Sequence, residues 1–110
     1  MVENVLQKFA KIFDLKTDVL KMDDSRIVIQ AEIAGMRKND VNIKMIGNYL
    51  IIEGFKKKLV GQPFEGYINE ECPYGYFKKY VALPRYVYDN ELDVQIDNGV
   101  LSVGVNILES

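Results

Sequence analysis

The sequence predicts an all-β domain of antiparallel strands, a sandwich or a barrel, with one short helix ahead of it. Three observations predict it. From residue 17 onward the apolar residues recur with a period of two, the mark of strands with one buried face. The alternating runs are short and are parted by Gly, Pro, Asn and Asp, which supply turn geometry. One of these separators, Asn98-Gly99, stands between two alternating runs; both residues tolerate positive φ, and the pair is the strongest short-range hairpin signal.

The elements follow in order. Val2, Val5, Leu6, Phe9, Ile12 and Phe13 recur at spacings of three and four, while Glu3, Asn4, Gln7, Lys8 and Lys11 fall elsewhere. That is an amphipathic helical stripe. A helix this short is marginal alone in water, so its apolar face needs a surface: its own domain, a partner subunit or another protein. A weaker strand covers Asp18 to Met22. In Arg26 to Ile33, Ile27, Ile29, Ala31 and Ile33 share one face. Val41, Ile43 and Met45 alternate with Asn42 and Lys44, Leu92, Val94 and Ile96 with Asp93 and Gln95, and Leu101, Val103 and Val105 repeat the pattern. Tyr49 to Glu53 is apolar on both faces and reads as a central strand, because only a strand flanked on all sides buries both. Tyr67 to Glu70 and Tyr76 to Ala82 add two more strands. Phe55 to Gly66 is the longest irregular stretch. The resulting organisation is an arm over residues 1–16, one β domain over 17–107 and a short end over 108–110.

Composition narrows the function. The 110 residues suit one domain, long enough to fold without disulfides or a metal. There is no histidine, which removes Ser-His-Asp and Cys-His catalysis and the commonest metal ligand. A single cysteine, Cys72, forms no internal disulfide and leaves a tetrahedral zinc site short of soft ligands. Neither a phosphate-binding GxxxxGK loop nor GxGxxG is present. The carboxylate neighbours Asp23-Asp24 and Glu70-Glu71 point to opposite faces of an extended chain, so neither forms an acid/base dyad. No enzyme and no cofactor are expected. The net charge of −2 speaks against a phosphate-gripping protein. Tyr76, Lys78 and Tyr80 on one strand face are the only pattern that would suit a single-stranded nucleic acid. No run approaches the roughly 18 apolar residues of a membrane span, and the N-terminus lacks a signal-peptide pattern, so a soluble, cytoplasmic protein is expected.

Four motifs in order resemble the α-crystallin domain of the small heat-shock proteins over about residues 18–106. Ala34-Gly35-Met36 with Lys38-Asn39-Asp40-Val41 resembles the family's Pro-Gly-hydrophobic turn and the acidic residue that opens the next strand. Tyr49 to Gly54 resembles its L-x-I-x-G strand, and Phe77 to Pro84 its strand ending in Leu-Pro. Val94 to Leu101 resembles the signature A-x-x-x-N-G-V-L. The resemblance implies an immunoglobulin-like sandwich, ATP-independent holding of partly unfolded proteins, and homodimers. It implies strand exchange through a small strand, here Tyr67, Ile68, Asn69 and Glu70, added to the edge of a neighbouring subunit. It also implies a groove for an Ile-x-Ile segment, with Val41, Ile43, Met45, Leu92, Val94 and Ile96 at the matching positions. Phe9, Ile12 and Phe13 are the candidates for client or assembly contact.

The sequence departs from that pattern in places. The family's Pro is Ala34 here, and its Arg before Leu-Pro is Lys79, which cannot make a planar bidentate contact. Val105-Asn106-Ile107 has the Ile-x-Ile letters but overlaps the last strand. With a short arm and an end at Ser110, a dimer or small oligomer is expected. The alternative reading is a p23-like or accessory interaction module with one specific partner.

Overall fold

The computed structural model describes residues 14–84 and 87–107, with the backbone alone at 87–90. The helix predicted over residues 2–13, including Phe9, Ile12 and Phe13, and the end at 108–110 lie outside the described residues. Seven strands run β1 (Thr17–Asp23), β2 (Arg26–Glu32), β3 (Val41–Ile46), β4 (Tyr49–Lys56), β5 (Gly75–Ala82), β6 (Val87–Asp97) and β7 (Val100–Ile107), with a 3-10 turn at Lys38–Asp40 before β3. They form a four-stranded sheet, β1-β2-β7-β6, and a three-stranded sheet, β3-β4-β5, all neighbours antiparallel.

The period-two pattern decides which residues meet between the sheets. Ile27, Ile29 and Ala31 from one side of β2, with Ile33 just past its end, join Leu101, Val103, Val105 and Ile107 from β7, and face Leu50, Ile52, Phe77 and Val81 from the other sheet. All are buried; Ile29, Leu50, Ile52, Phe77, Leu101, Val103 and Val105 are fully so. Each such aliphatic side chain contributes about 1.5–3 kcal/mol by leaving water. β4 is the middle strand of its sheet. Its Ile51 points away from the common core but is still buried, flanked across the strands by Lys44 and Tyr80.

The turns do what their residues allow. Asn98 and Gly99 both have positive φ (52° and 76°), the geometry that matches the twist of a two-residue hairpin. At the β1–β2 turn the Ser25 backbone N–H (2.8 Å) and hydroxyl (3.0 Å) donate to Asp23 Oδ1, and these bonds hold its carboxyl below the ordinary value. The β3–β4 turn is tied to the segment after β5: Leu83 N–H donates to the Asn48 carbonyl at 2.9 Å, and Asn48 Nδ2 donates to the Leu83 carbonyl at 3.0 Å. That exchange fixes where the chain leaves the small sheet.

Two strands differ from expectation. β4 runs on to Lys56, into the stretch read as irregular. Tyr67–Glu70 forms no strand; residues 57–74 are irregular. A strand needs a partner for its N–H and C=O groups, and in a single chain no sheet edge meets this segment.

Gly54 shows how tightly the small sheet is built. A Cβ there would overlap the Asp40 carbonyl oxygen and come within 2.9 Å of the Phe77 ring. The carbonyl belongs to the 3-10 turn and cannot step aside cheaply. Gly54→Ala is therefore expected to lower unfolding stability by about 1–3 kcal/mol through overpacking, read as a lower urea midpoint at unchanged m-value.

Candidate functional site

Four strands cannot be fully covered by three, and the consequences appear on both flanks of the sandwich. On one flank the edge strands β3 and β6 face each other across an open groove of about 430 Å³. Val41 and Ile43 line it from β3, Leu92, Val94 and Ile96 from β6, and Leu101 forms part of its floor. These β3 and β6 side chains are half-buried: packed against the core on one side, open on the other. Alternation placed them on the core face, and that is where they start; the missing fourth strand of the small sheet leaves them uncovered. Met45 is half-buried against the same core but lies outside the groove lining.

The groove has a polar rim that alternation could not supply. Lys38 stands on one side and Asp93 on the other. Asp93 is tethered from the far side of its sheet. Arg26, on β2, crosses the outer face of β7 and donates from Nη2 to Asp93 Oδ2 at 3.2 Å. The guanidinium lies over Gly104, where a Cβ would overlap it. The pair is partly exposed and is worth little in stability, about 0–1 kcal/mol. Its effect is positional: it joins the groove strand β6 to β2. In sequence the only sign of this tether is a glycine on the outward face of a strand otherwise built of larger residues.

On the opposite flank β1 is the outermost strand, and among the described residues one of its edges is unpaired. Val19 points inward, opposite Ile29, yet is 47% exposed because no strand of the small sheet lies over it. Below β1 a cavity of about 250 Å³ opens, lined by Val19, Lys21, Asp24, Ile27, Pro84 and Ile107. Leu20, on the outward face of β1, and Met22, at the irregularity between Lys21 and Asp23, are also exposed. The segment predicted to exchange, Tyr67, Ile68, Asn69 and Glu70, is exposed throughout, and Ile68 stands wholly in solvent.

The outer face of the small sheet carries Tyr76, Lys78 and Tyr80. Its rings are already engaged. Tyr76 donates its hydroxyl to Glu53 Oε2 (3.0 Å), a bond that, with burial, raises the phenol above its ordinary value. Lys78 Nζ lies 5.5 Å from the Tyr80 ring centroid. Glu53 also pairs with Lys44 at 3.7 Å, placing a carboxylate at the centre of this face. Lys79, on the core side of β5, reaches Asp14 at 3.9 Å. Among the described residues no cluster of His, Cys, Asp and Glu could hold a metal ion, and no helix is long and apolar enough to cross a membrane.

Residues 19–110 match the Hsp20/alpha crystallin family. The chain belongs to that family. Small heat shock protein C2 of Rickettsia felis is 26% identical over 90 residues, 82% of this chain and 58% of the relative. Small heat shock protein C4 of the same organism is 25% identical over 95 residues, 86% of this chain and again 58% of the relative. The chain thus spans little more than half the length of these curated relatives. Among solved structures, heat shock protein 16.0 of Schizosaccharomyces pombe superposes with a TM-score of 0.76 at 21% identity, over 88% of this chain and 89% of that one. A small heat-shock protein of Xylella fastidiosa gives 0.75 at 23% identity, over 89% of each chain. Both likenesses show the fold: the sandwich is the α-crystallin one.

Proposed function

We propose that the protein is an ATP-independent holdase that captures partly unfolded proteins and suppresses their aggregation. One observation carries the reading. An α-crystallin sandwich leaves uncovered, on its two flanks, an aliphatic groove between β3 and β6 and an unpaired apolar edge at β1. Non-native chains expose apolar segments and unpaired strands, which are the groups such surfaces accept. Holding needs no nucleotide, because preferential binding to the non-native chain is enough to shift the equilibrium. No catalytic step is assigned to any residue. A cytoplasmic setting goes with this reading, and the one cysteine, Cys72, is an exposed free thiol.

Within it, Val41, Ile43, Leu92, Val94 and Ile96 accept an extended segment with alternate aliphatic residues, whose side chains would enter the groove with the strand period. Phe9, Ile12 and Phe13 serve client or assembly contact from the arm of residues 1–16, ahead of the β domain at 17–107. The subunit pairs with a second copy by laying Tyr67–Glu70 along the neighbour's β1 edge. There main-chain groups pair, and Ile68 can enter the cavity between Val19 and Ile107.

Light scattering from a heated, aggregation-prone client, without ATP, tests the main reading. Suppression near equal stoichiometry is the expected outcome; a folded chain that suppresses nothing refutes it. Ile43→Asp with Val94→Asp places charge in the groove and is expected to remove most of the suppression while β-sheet circular dichroism is retained. Phe9→Ser with Phe13→Ser is expected to weaken suppression with the domain's melting unchanged.

The dimer has its own test. Ile68 contributes nothing to the fold of its own chain, being wholly exposed. Ile68→Asp is expected to weaken dimerisation roughly tenfold or more in sedimentation velocity, as burying an unpaired charge costs well above 1.4 kcal/mol. Unchanged dimerisation would sink the exchange reading.

A further inference from the structure

Residues 57–74 carry no regular structure, yet they are closed on themselves by one lysine. Lys58 Nζ lies 4.7 Å from the Tyr74 ring centroid, 5.1 Å from that of Tyr67, and 3.7 Å from Glu70 Oε2. Phe64 packs its ring edge-on against Tyr67, with centroids 4.9 Å apart and planes at 71°. Lys58, Tyr67, Glu70 and Tyr74 line a small open cavity of about 160 Å³, together with Leu59 and Cys72. Lys58 lies two residues beyond the end of β4 and Tyr74 directly precedes β5, so both stand close to the sandwich. Tyr67 and Glu70 belong to the middle of the segment, and they are what the lysine holds.

The geometry of that hold excludes a strand. In an extended chain Tyr67 and Glu70, three residues apart, point to opposite faces. One ammonium touching both therefore requires the backbone between them to turn. Held by Lys58, the four residues cannot pair with a sheet edge; paired, they cannot both reach Lys58. The two states are mutually exclusive.

We propose that Lys58 is a latch that keeps Tyr67–Glu70 on its own chain in competition with the β1 edge of a second copy, and so sets the affinity of the dimer. The inference rests on the strand-exchange reading above. Only the unlatched fraction of chains is competent to donate the segment, and the apparent dissociation constant is the intrinsic one divided by that fraction. Two cation–π contacts and a half-shielded ion pair are each modest, and together they correspond to a factor of roughly three to ten.

The variant that tests it is Lys58→Met, which keeps the apolar stem and removes the charge. Sedimentation velocity is expected to give a dimer tighter by roughly three- to tenfold. Dissociation is measured separately, by mixing isotopically heavy and light chains and following mixed dimers by native mass spectrometry. Its rate is expected to be unchanged, since the dimer has already left the latch. Lys58→Arg, which offers both rings and the carboxylate a cation, is expected to dimerise as the wild type does. A Lys58→Met dimer of wild-type affinity, or one whose dissociation rate changes, overturns the latch and leaves strand exchange standing. A wild-type chain that forms no dimer, or a dimer indifferent to Ile68→Asp, removes the exchange reading and the latch with it.

Discussion

Two sheets of unequal width have to cover each other's apolar faces, and the open groove and the open β1 flank of this domain both descend from that constraint. The shared core lies where β4 and β5 face β2 and β7, and there the side chains from Ile29, Leu50, Ile52, Phe77, Leu101 and Val103 are sealed. Beyond it the small sheet runs out. Valine and isoleucine positions that in a wider sandwich would be fully buried remain half-covered in β3 and β6, and Val19 of β1 is almost half exposed. The apolar surface left open at β3, β6 and Val19 is thus the outer margin of a core and continuous with it, while Leu59, Val60, Phe64 and Ile68 are exposed in the irregular segment between β4 and β5.

Such margins are a hazard, and the sequence limits it. A flat apolar strand at a sheet edge invites indiscriminate pairing. β1 interrupts Val19, Leu20 and Met22 with Asp18, Lys21 and Asp23, so a chain that approaches must answer charges as well as apolar groups. The groove is flanked in the same way by Lys38 and Asp93, the latter steadied by Arg26 across Gly104. In the proposed holdase these rims would set how readily a non-native segment settles, without making the surface adhesive to everything.

Much of the fold was legible because its signals are local. Alternation in Arg26–Ile33 named the inner face of β2 correctly, and Asn98-Gly99 gave the last hairpin. Tyr49–Glu53 read as a central strand because Ile51 is apolar on the face where alternation asks for a polar residue; it is indeed buried on the far side of the sheet. The groove residues were nameable only through the family motifs, for alternation assigns Ile43 and Leu101 to the same kind of position. What separates them is the absence of a neighbouring strand, a property of topology. The Arg26–Asp93 tether joins residues 67 positions apart, and a single sequence carries no signal for it beyond the glycine under the guanidinium.

The segment between β4 and β5 failed as a strand for a related reason. Tyr67-Ile68-Asn69-Glu70 has strand composition, but a strand is a relation between two backbones, and a single chain offers this segment no second one. Its residues instead satisfy what lies within reach: Tyr67 and Glu70 turn to Lys58, and Ile68, with nothing to cover it, is left in water. In the proposed strand exchange, an isoleucine so exposed, in a segment whose contacts are incompatible with extension, belongs to a chain balanced between two partners. The proposed assembly draws on that balance. On that proposal, the contacts of Lys58 with Tyr67, Tyr74 and Glu70 are weak enough to be exchanged and specific enough to hold the segment back from the first edge it meets.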